Sequence, residues 1–239
     1  MANETKTGVL YLIPVPIAEG ALQTLSAAVA QCTGEIAHYF VEHIRTARRF
    51  LRALHPNLVI DSLYFSEIDK HSGADTALLR TWLKEGHKVG IMSEAGCPGI
   101  ADPGADLVAI AHSMGAQVIP LTGPNSLLLA LMASGLNGQS FCFAGYLPVK
   151  EPMRSKRIKE LEAHSIKENQ TQLFIETPYR NALLLADLLK NCHPKTRICI
   201  AQNITAPAAY IKTKTTAEWN KAIPELGKTP AVFLMLGVQ

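Results

Sequence analysis

The sequence predicts an α/β protein of two domains, with a mostly parallel sheet in residues 1–121 and a mixed sheet in residues 122–239. Three observations carry this reading. Up to residue 121, short apolar runs alternate with helical spacing, the pattern of a parallel sheet with helices on its faces. Beyond residue 122, strand-like runs follow one another with fewer helices between them, which favours a mixed sheet. Between an apolar run at 89–92 and a helical pattern from Ala105 lies Ser93–Gly104, far longer than the roughly 2–6 residues of an ordinary strand-to-helix connection.

The elements follow in order. Gly8–Ile13 reads as a buried strand, closed by Pro14 and Pro16, with a helix expected from about Ala21 to Ala30. Glu35–Val41 is a second strand, and Arg45–Leu54 has helical spacing that stops before Pro56. Leu63–Phe65 is a short strand. Asp75 is positioned to cap a helix whose apolar stripe is Leu78, Leu79, Trp82 and Leu83 and which Gly86 ends. Lys88–Met92 is a strand, 105–114 a helix, Ala116–Leu121 a strand and Leu127–Ser134 an apolar helix. The second half offers strands at Phe141–Gly145, Thr171–Ile175, Arg197–Ala201, Ala208–Thr213 and Ala231–Leu236, with helices to Ser165 and over Asn181–Leu189.

Composition narrows the class. Hydrophobic residues make up 48% and charged residues 18%, a globular balance, and the net charge of +3 permits nucleic-acid contact without arguing for it. The polar start, Met1–Thr7, does not resemble a signal peptide, and no apolar run is long enough for a membrane span, so no membrane partner is expected. Five cysteines without a CxxC pair fit a reducing, cytoplasmic setting; Cys142 and Cys199 fall in apolar runs and are expected in the core.

Several chemistries find no support. There is no GxGxxG after the first strand, no GxxxxGK[ST], no GxSxG, and no HExxH spacing, so no metal is expected. His38 and His43 read as structural, and Cys97 has no nameable partner for nucleophilic work. What remains is the loop Ser93–Gly104, with three glycines to admit a ligand to the backbone and two acids, and a second junction at Thr122–Ser126. Two basic runs stand out: Arg45, Arg48, Arg49 and Arg52 on one helix face, and Lys150, Arg154, Lys156, Arg157 and Lys159. Each is either a solvated face or a set of phosphate contacts.

The motifs Leu10–Ile17, Ser93–Gly104, Pro120–Ser126, Ala133–Leu136, Phe143–Pro148 and Phe174–Arg180 occur in one order along nearly the whole chain. Together they resemble the tetrapyrrole methylase superfamily, and within it the branch that methylates a ribose 2′-hydroxyl of small-subunit ribosomal RNA. The resemblance implies S-adenosylmethionine (SAM) as cofactor in a cleft between two α/β domains, ribosomal RNA or the 30S subunit as partner, and a homodimer. Carried over by position, it implies cofactor contacts at Pro16, Ile17, Glu94, Ala95, Gly96, Ile100, Asn125 and Ser126. From the second domain it adds Glu176, Asn203, Ile204, Pro230 and Ala231.

For catalysis the expected residues are Glu42 and Asp102 as acids and Arg45 as a phosphate contact, with Glu176 a further acid; a local Glu42–Arg45 ion pair is the competing reading. The chain departs from the branch at Ala18-Glu19-Gly20, where Gly-Asn-Leu is usual, and at His43-Ile44, where the branch has Asp-Thr. A methylase of a small molecule, or an RNA-binding relative without activity, stays open at this point. The sequence stops soon after the 231–236 run, where some members of the branch carry an extension.

Overall fold

The computed structural model describes residues 7–69 and 72–238, so most of the polar opening segment lies outside it. It divides into two units between Asn125 and Ser126.

The first unit is built on a five-stranded, all-parallel sheet. Its strands are β1 (Val9–Ile13), β2 (His38–Val41), β3 (Tyr64–Glu67), β4 (Lys88–Met92) and β5 (Gln117–Pro120), in the order β3-β2-β4-β1-β5. The helices are α1 (Ala27–Thr33), α2 (Ile44–Leu54), α3 (Thr76–Lys84) and α4 (Ala105–Ser113). Alternation along the strands sends side chains to two cores. Leu10, Phe40, Val89 and Ile91 meet Leu79, Trp82, Leu83 and Leu107 of α3 and α4. Ile13, Tyr39, Val41 and Met92 meet Val29, Ala47 and Leu51 of α1 and α2. Asp75 caps α3 by accepting from Leu78 N–H at 2.9 Å. The expected helix at 21–30 instead splits into a short 3-10 turn, Leu22–Thr24, and α1, because Leu25 and Ser26 are extended between them.

The second unit has α5 (Ser126–Ser134), β6 (Phe141–Tyr146), α6 (Met153–Glu168), β7 (Thr171–Glu176), α7 (Asn181–Asn191), β8 (Arg197–Gln202), β9 (Tyr210–Thr215), α8 (Thr216–Lys221) and β10 (Ala231–Leu236). Its sheet runs β6-β7-β10-β8-β9; β6 and β7 are parallel and the other pairs antiparallel. Helix α5 covers one face through Leu127, Ala130 and Leu131. Helices α6, α7 and α8 cover the other through Ile158, Leu161, Leu184, Leu185, Leu188 and Trp219. Two expectations fail here. Strand β9 starts two residues later than the apolar run, because the chain turns through 203–209 with positive φ at Asn203 and Thr205. Cys142 is exposed rather than buried, on the edge strand β6, which has a neighbour on one side only; Cys199 is buried as expected.

Candidate functional site

In the first unit the loops after β1, β4 and β5 lock together at the carboxyl end of the sheet. Val15 N–H donates to Gly96 C=O at 2.8 Å and Gly96 N–H returns to Val15 C=O at 3.1 Å, a two-bond bridge between the first loop and Ser93–Gly104. Gly96 has φ +76°, a conformation that costs glycine little and other residues more. Gly123 is needed for a different reason: a Cβ there would lie 2.3 Å from the ring carbons of Pro14. Cys97 Sγ donates to Pro124 C=O at 3.4 Å. Burial pushes the Cys97 thiol up, and a hydrogen bond with Asn125 only partly offsets this, so the group stays protonated and structural.

The structure brings Pro16, Ile17, Glu94, Ala95, Gly96 and Asn125 into this one set of strand-end loops. Glu42 joins them from the end of β2, where its Oε1 accepts from Glu94 N–H at 3.0 Å. The Glu42–Arg45 ion pair does not form; Arg45 is exposed on the first turn of α2. Ile100 and Asp102 lie further along the loop, which folds on itself through Gly99 N–H to Pro103 C=O at 3.2 Å; Ile100 is exposed and Asp102 half-buried. Beside this set opens a pocket of about 440 Å³, lined by Val15–Gly20, Leu22, Met92, Ser93 and Glu94 on one side and Thr46, Ala47, Arg49, Phe50 and Ala53 of α2 on the other.

In the second unit the expected residues gather at one end of the mixed sheet. Ala231, the first residue of β10, pairs with Glu176, the last of β7, and with Gln202, the last of β8. Asn203 and Ile204 follow directly. Thr213 Oγ1 donates to Ser134 C=O at 2.6 Å and Arg197 Nη1 to Gly135 C=O at 3.4 Å, pinning the end of α5 beside the start of β8. Ser126 at the other end of α5 therefore points toward the Gln202 side, where Ile204 packs with Leu127 and Leu131. Glu176 is buried, and its Oε1 accepts from Thr177 N–H at 2.6 Å and from Arg180 Nε and Nη2 at 2.9 and 2.6 Å. That oxygen holds the turn after β7.

Two residues that the sequence reading passed over do similar work. Asn181 donates from Nδ2 to Thr229 C=O at 2.8 Å, and Gln202 donates from Nε2 to Gly227 and Thr229 carbonyls at 3.2 and 3.3 Å. Both fix the segment that delivers Pro230. A signal existed for each: Gln202 is the polar end of an apolar strand run, and Asn181 immediately follows the Glu176–Arg180 motif. Asn181 Oδ1 and Thr205 Oγ1 are buried without a hydrogen-bond partner among the described residues. Buried oxygens are ordinarily satisfied, so these two suit a polar ligand group or an ordered water at the strand ends. That fits a cofactor as polar as SAM at Asn203, Ile204, Pro230 and Ala231. Among the described residues no group of His, Cys, Asp and Glu is arranged to hold a metal ion, and no helix is long and apolar enough to cross a membrane.

A sequence profile described as tetrapyrrole (corrin/porphyrin) methylases matches residues 9–219. The chain is 30% identical over 224 residues to a protein named ribosomal RNA small subunit methyltransferase I from Buchnera aphidicola, covering 92% of this chain and 75% of that protein. It is 30% identical over 234 residues to a protein of the same name from Pasteurella multocida, covering 97% and 80%. Among solved structures it resembles the methyltransferase CobJ, with a TM-score of 0.63 at 19% identity over 97% of this chain and 95% of that one. It also resembles a uroporphyrin-III-C-methyltransferase from Thermus thermophilus, with a TM-score of 0.52 at 16% identity over 96% and 92%. These two likenesses bear on the fold alone. The chain belongs to the tetrapyrrole (corrin/porphyrin) methylase family and is a SAM-dependent methyltransferase.

Proposed function

We propose that this chain methylates a ribose 2′-hydroxyl in small-subunit ribosomal RNA, with the 30S subunit or its RNA as partner, acting in the cytoplasm as a homodimer. The observation that carries the reading is the likeness, across 92% and 97% of the chain, to relatives named for that RNA. SAM, when bound, supplies a methyl group already activated by its sulfonium. The residues that would hold it are Pro16, Ile17, Glu94, Ala95, Gly96, Ile100 and Asn125 in the first unit, with Ser126, Glu176, Asn203, Ile204, Pro230 and Ala231 in the second.

What the chain itself must add is position and a proton acceptor. Alignment of the reacting atoms can supply much of the rate. Glu42 is the acid best placed to take the hydroxyl proton. The Glu94 N–H at 3.0 Å fixes its Oε1, and Oε2 carries no hydrogen bond among the described residues. Arg45 stands one helical turn away on an exposed position suited to a phosphate. Asp102, half-buried in the long loop, is the second acid of the site.

Transfer of tritiated methyl from SAM to 30S subunits, free ribosomal RNA and a small-molecule extract tests the acceptor. Label is expected in 30S RNA, on a ribose, recovered as an alkali-resistant dinucleotide. Label confined to the small-molecule fraction would replace the RNA reading with a tetrapyrrole-type acceptor. In the same assay Glu42→Gln is expected to slow single turnover by about 10²–10⁴-fold, the usual scale of general-base removal, with SAM affinity unchanged by calorimetry. An unchanged single-turnover rate would falsify the base assignment.

A further inference from the structure

We infer that the pocket between the Pro16–Gly20 loop and α2 takes the neutral base-and-sugar part of one unpaired RNA nucleotide, while Arg45, Arg49 and Arg52 take its flanking phosphates. The inference rests on the RNA reading above and deepens it. Helix α2 carries four arginines and no acid. Arg48 is tied down: its Nη2 donates to Asp61 Oδ1 at 2.6 Å and its guanidinium lies 5.8 Å from the Phe65 ring centre. Arg45, Arg49 and Arg52 are exposed and form no ion pair among the described residues. Spaced i, i+4 and i+7, they make one stripe about 10 Å long. Unpaired guanidiniums in a row are an electrostatic track for a phosphate backbone.

The pocket decides what lies beside that track. Its volume of about 440 Å³ is within the roughly 300–1,000 Å³ of small-molecule sites, enough for one nucleotide and too small for a base pair with its neighbours. Its wall joins Phe50 and Ala53 of α2 to the carboxylate of Glu19, and on its far side it shares Ile17 and the carboxylate of Glu94 with the residues that would hold SAM. Two carboxylates repel a phosphate, so the charged part of the ligand belongs outside, on the arginines. A base and ribose are neutral, can pack on Phe50 and can donate hydrogen bonds to the acids. Single-stranded RNA offers such splayed nucleotides, and enzymes that modify a nucleotide take it out of the helix. Arg49 belongs to both features, lining the pocket and standing in the stripe.

Fluorescence anisotropy with a single-stranded RNA oligonucleotide, titrated with salt, tests the track without any methyl transfer. The triple variant Arg45→Ala, Arg49→Ala, Arg52→Ala is expected to lower the slope of log affinity against log salt by about 2, from roughly 0.7 per phosphate contact on a single strand. Lysine at the same three positions should restore most of the slope, which a merely misfolded helix could not do. Equal slopes for wild type and the alanine variant would overturn the track. The pocket is tested separately with Ala53→Phe, expected to raise KM for the RNA at least tenfold with SAM affinity unchanged; an unchanged KM would overturn it. Failure of the wild type to label 30S RNA would instead sink the functional reading, and the anisotropy slopes would still report on the arginines.

Discussion

The two basic runs of this chain read alike in the sequence and come to different ends in the fold. Helix α2 holds Arg45, Arg48, Arg49 and Arg52 with no acid among its residues, and three of the four guanidiniums face outward unpaired. Helix α6 mixes Arg154, Lys156, Arg157 and Lys159 with Glu160, Glu162 and Glu168. There Arg154 is 5% exposed, with Nε on Asp187 Oδ2 at 2.6 Å, Nη1 on Val149 C=O at 2.5 Å and Nη2 3.5 Å from Glu151. Arg157 pairs with Glu160 at 3.4 Å. Spacing places cations on a helix face, but the acids around them decide whether they remain available to a partner. On α6 the two arginines are answered from within the protein, and the lysines stand among carboxylates.

The largest effect that separates the two helices is expected at Arg154. Removing one partner of a buried pair strands the other charge, and Arg154→Ala should cost about 3–5 kcal/mol in urea denaturation because Asp187 and Val149 C=O lose their donor. Replacing Arg154 and Asp187 together by apolar residues of similar size should recover most of that loss. A cost below about 1 kcal/mol for the single variant would mean that Arg154 is not the internal strut described.

Arg48 sharpens the contrast within α2. Its pair with Asp61 is exposed, 42% on the arginine side and 89% on the acid, so screening leaves it little. Contact with the Phe65 ring adds a small term. Arg48→Ala should therefore cost about 1 kcal/mol and leave the salt dependence of RNA binding unchanged. A loss of slope of about 0.7, one phosphate contact on a single strand, would make Arg48 part of the track.

The fold was legible where one rule governs one element. The parallel sheet of the first unit has both faces covered, so its central strands β1 and β4 are mostly apolar runs, and Lys88–Met92 is found as expected. Legibility fell where long-range partners decide. The burial of Arg154 depends on Asp187, 33 residues later, and Cys142 surfaces because β6 has a neighbour on one side only. Helix α8 was missed although Thr215 and Glu218 spell out its capping box, with Thr215 Oγ1 accepting from Glu218 N–H at 3.2 Å. In the site, the loops were visible as glycine, proline and acid in an unusual length. The pairing of Val15 with Gly96, and of Glu42 with the Glu94 N–H, joins residues 81 and 52 apart, which no local pattern announces.

The smallest expected effect falls on the exposed lysines of α6. Lys156 and Lys159 point to solvent, and neither forms an ion pair among the described residues, so by exposure alone they match the α2 arginines. What differs is their setting. Glu160 is the next residue after Lys159, and Glu162 lies within the same turn, accepting from His193 N–H at 2.7 Å and Thr196 Oγ1 at 2.5 Å. Nearby carboxylates cancel much of the field that a phosphate would meet, and a lysine ammonium is a flexible point charge without the guanidinium fork. The double variant Lys156→Ala, Lys159→Ala should leave stability within about 0.5 kcal/mol and the salt slope of RNA binding unchanged. A fall in slope of about 1.4, two contacts at roughly 0.7 each, would extend the RNA surface to α6 and make the acids of that helix irrelevant to it.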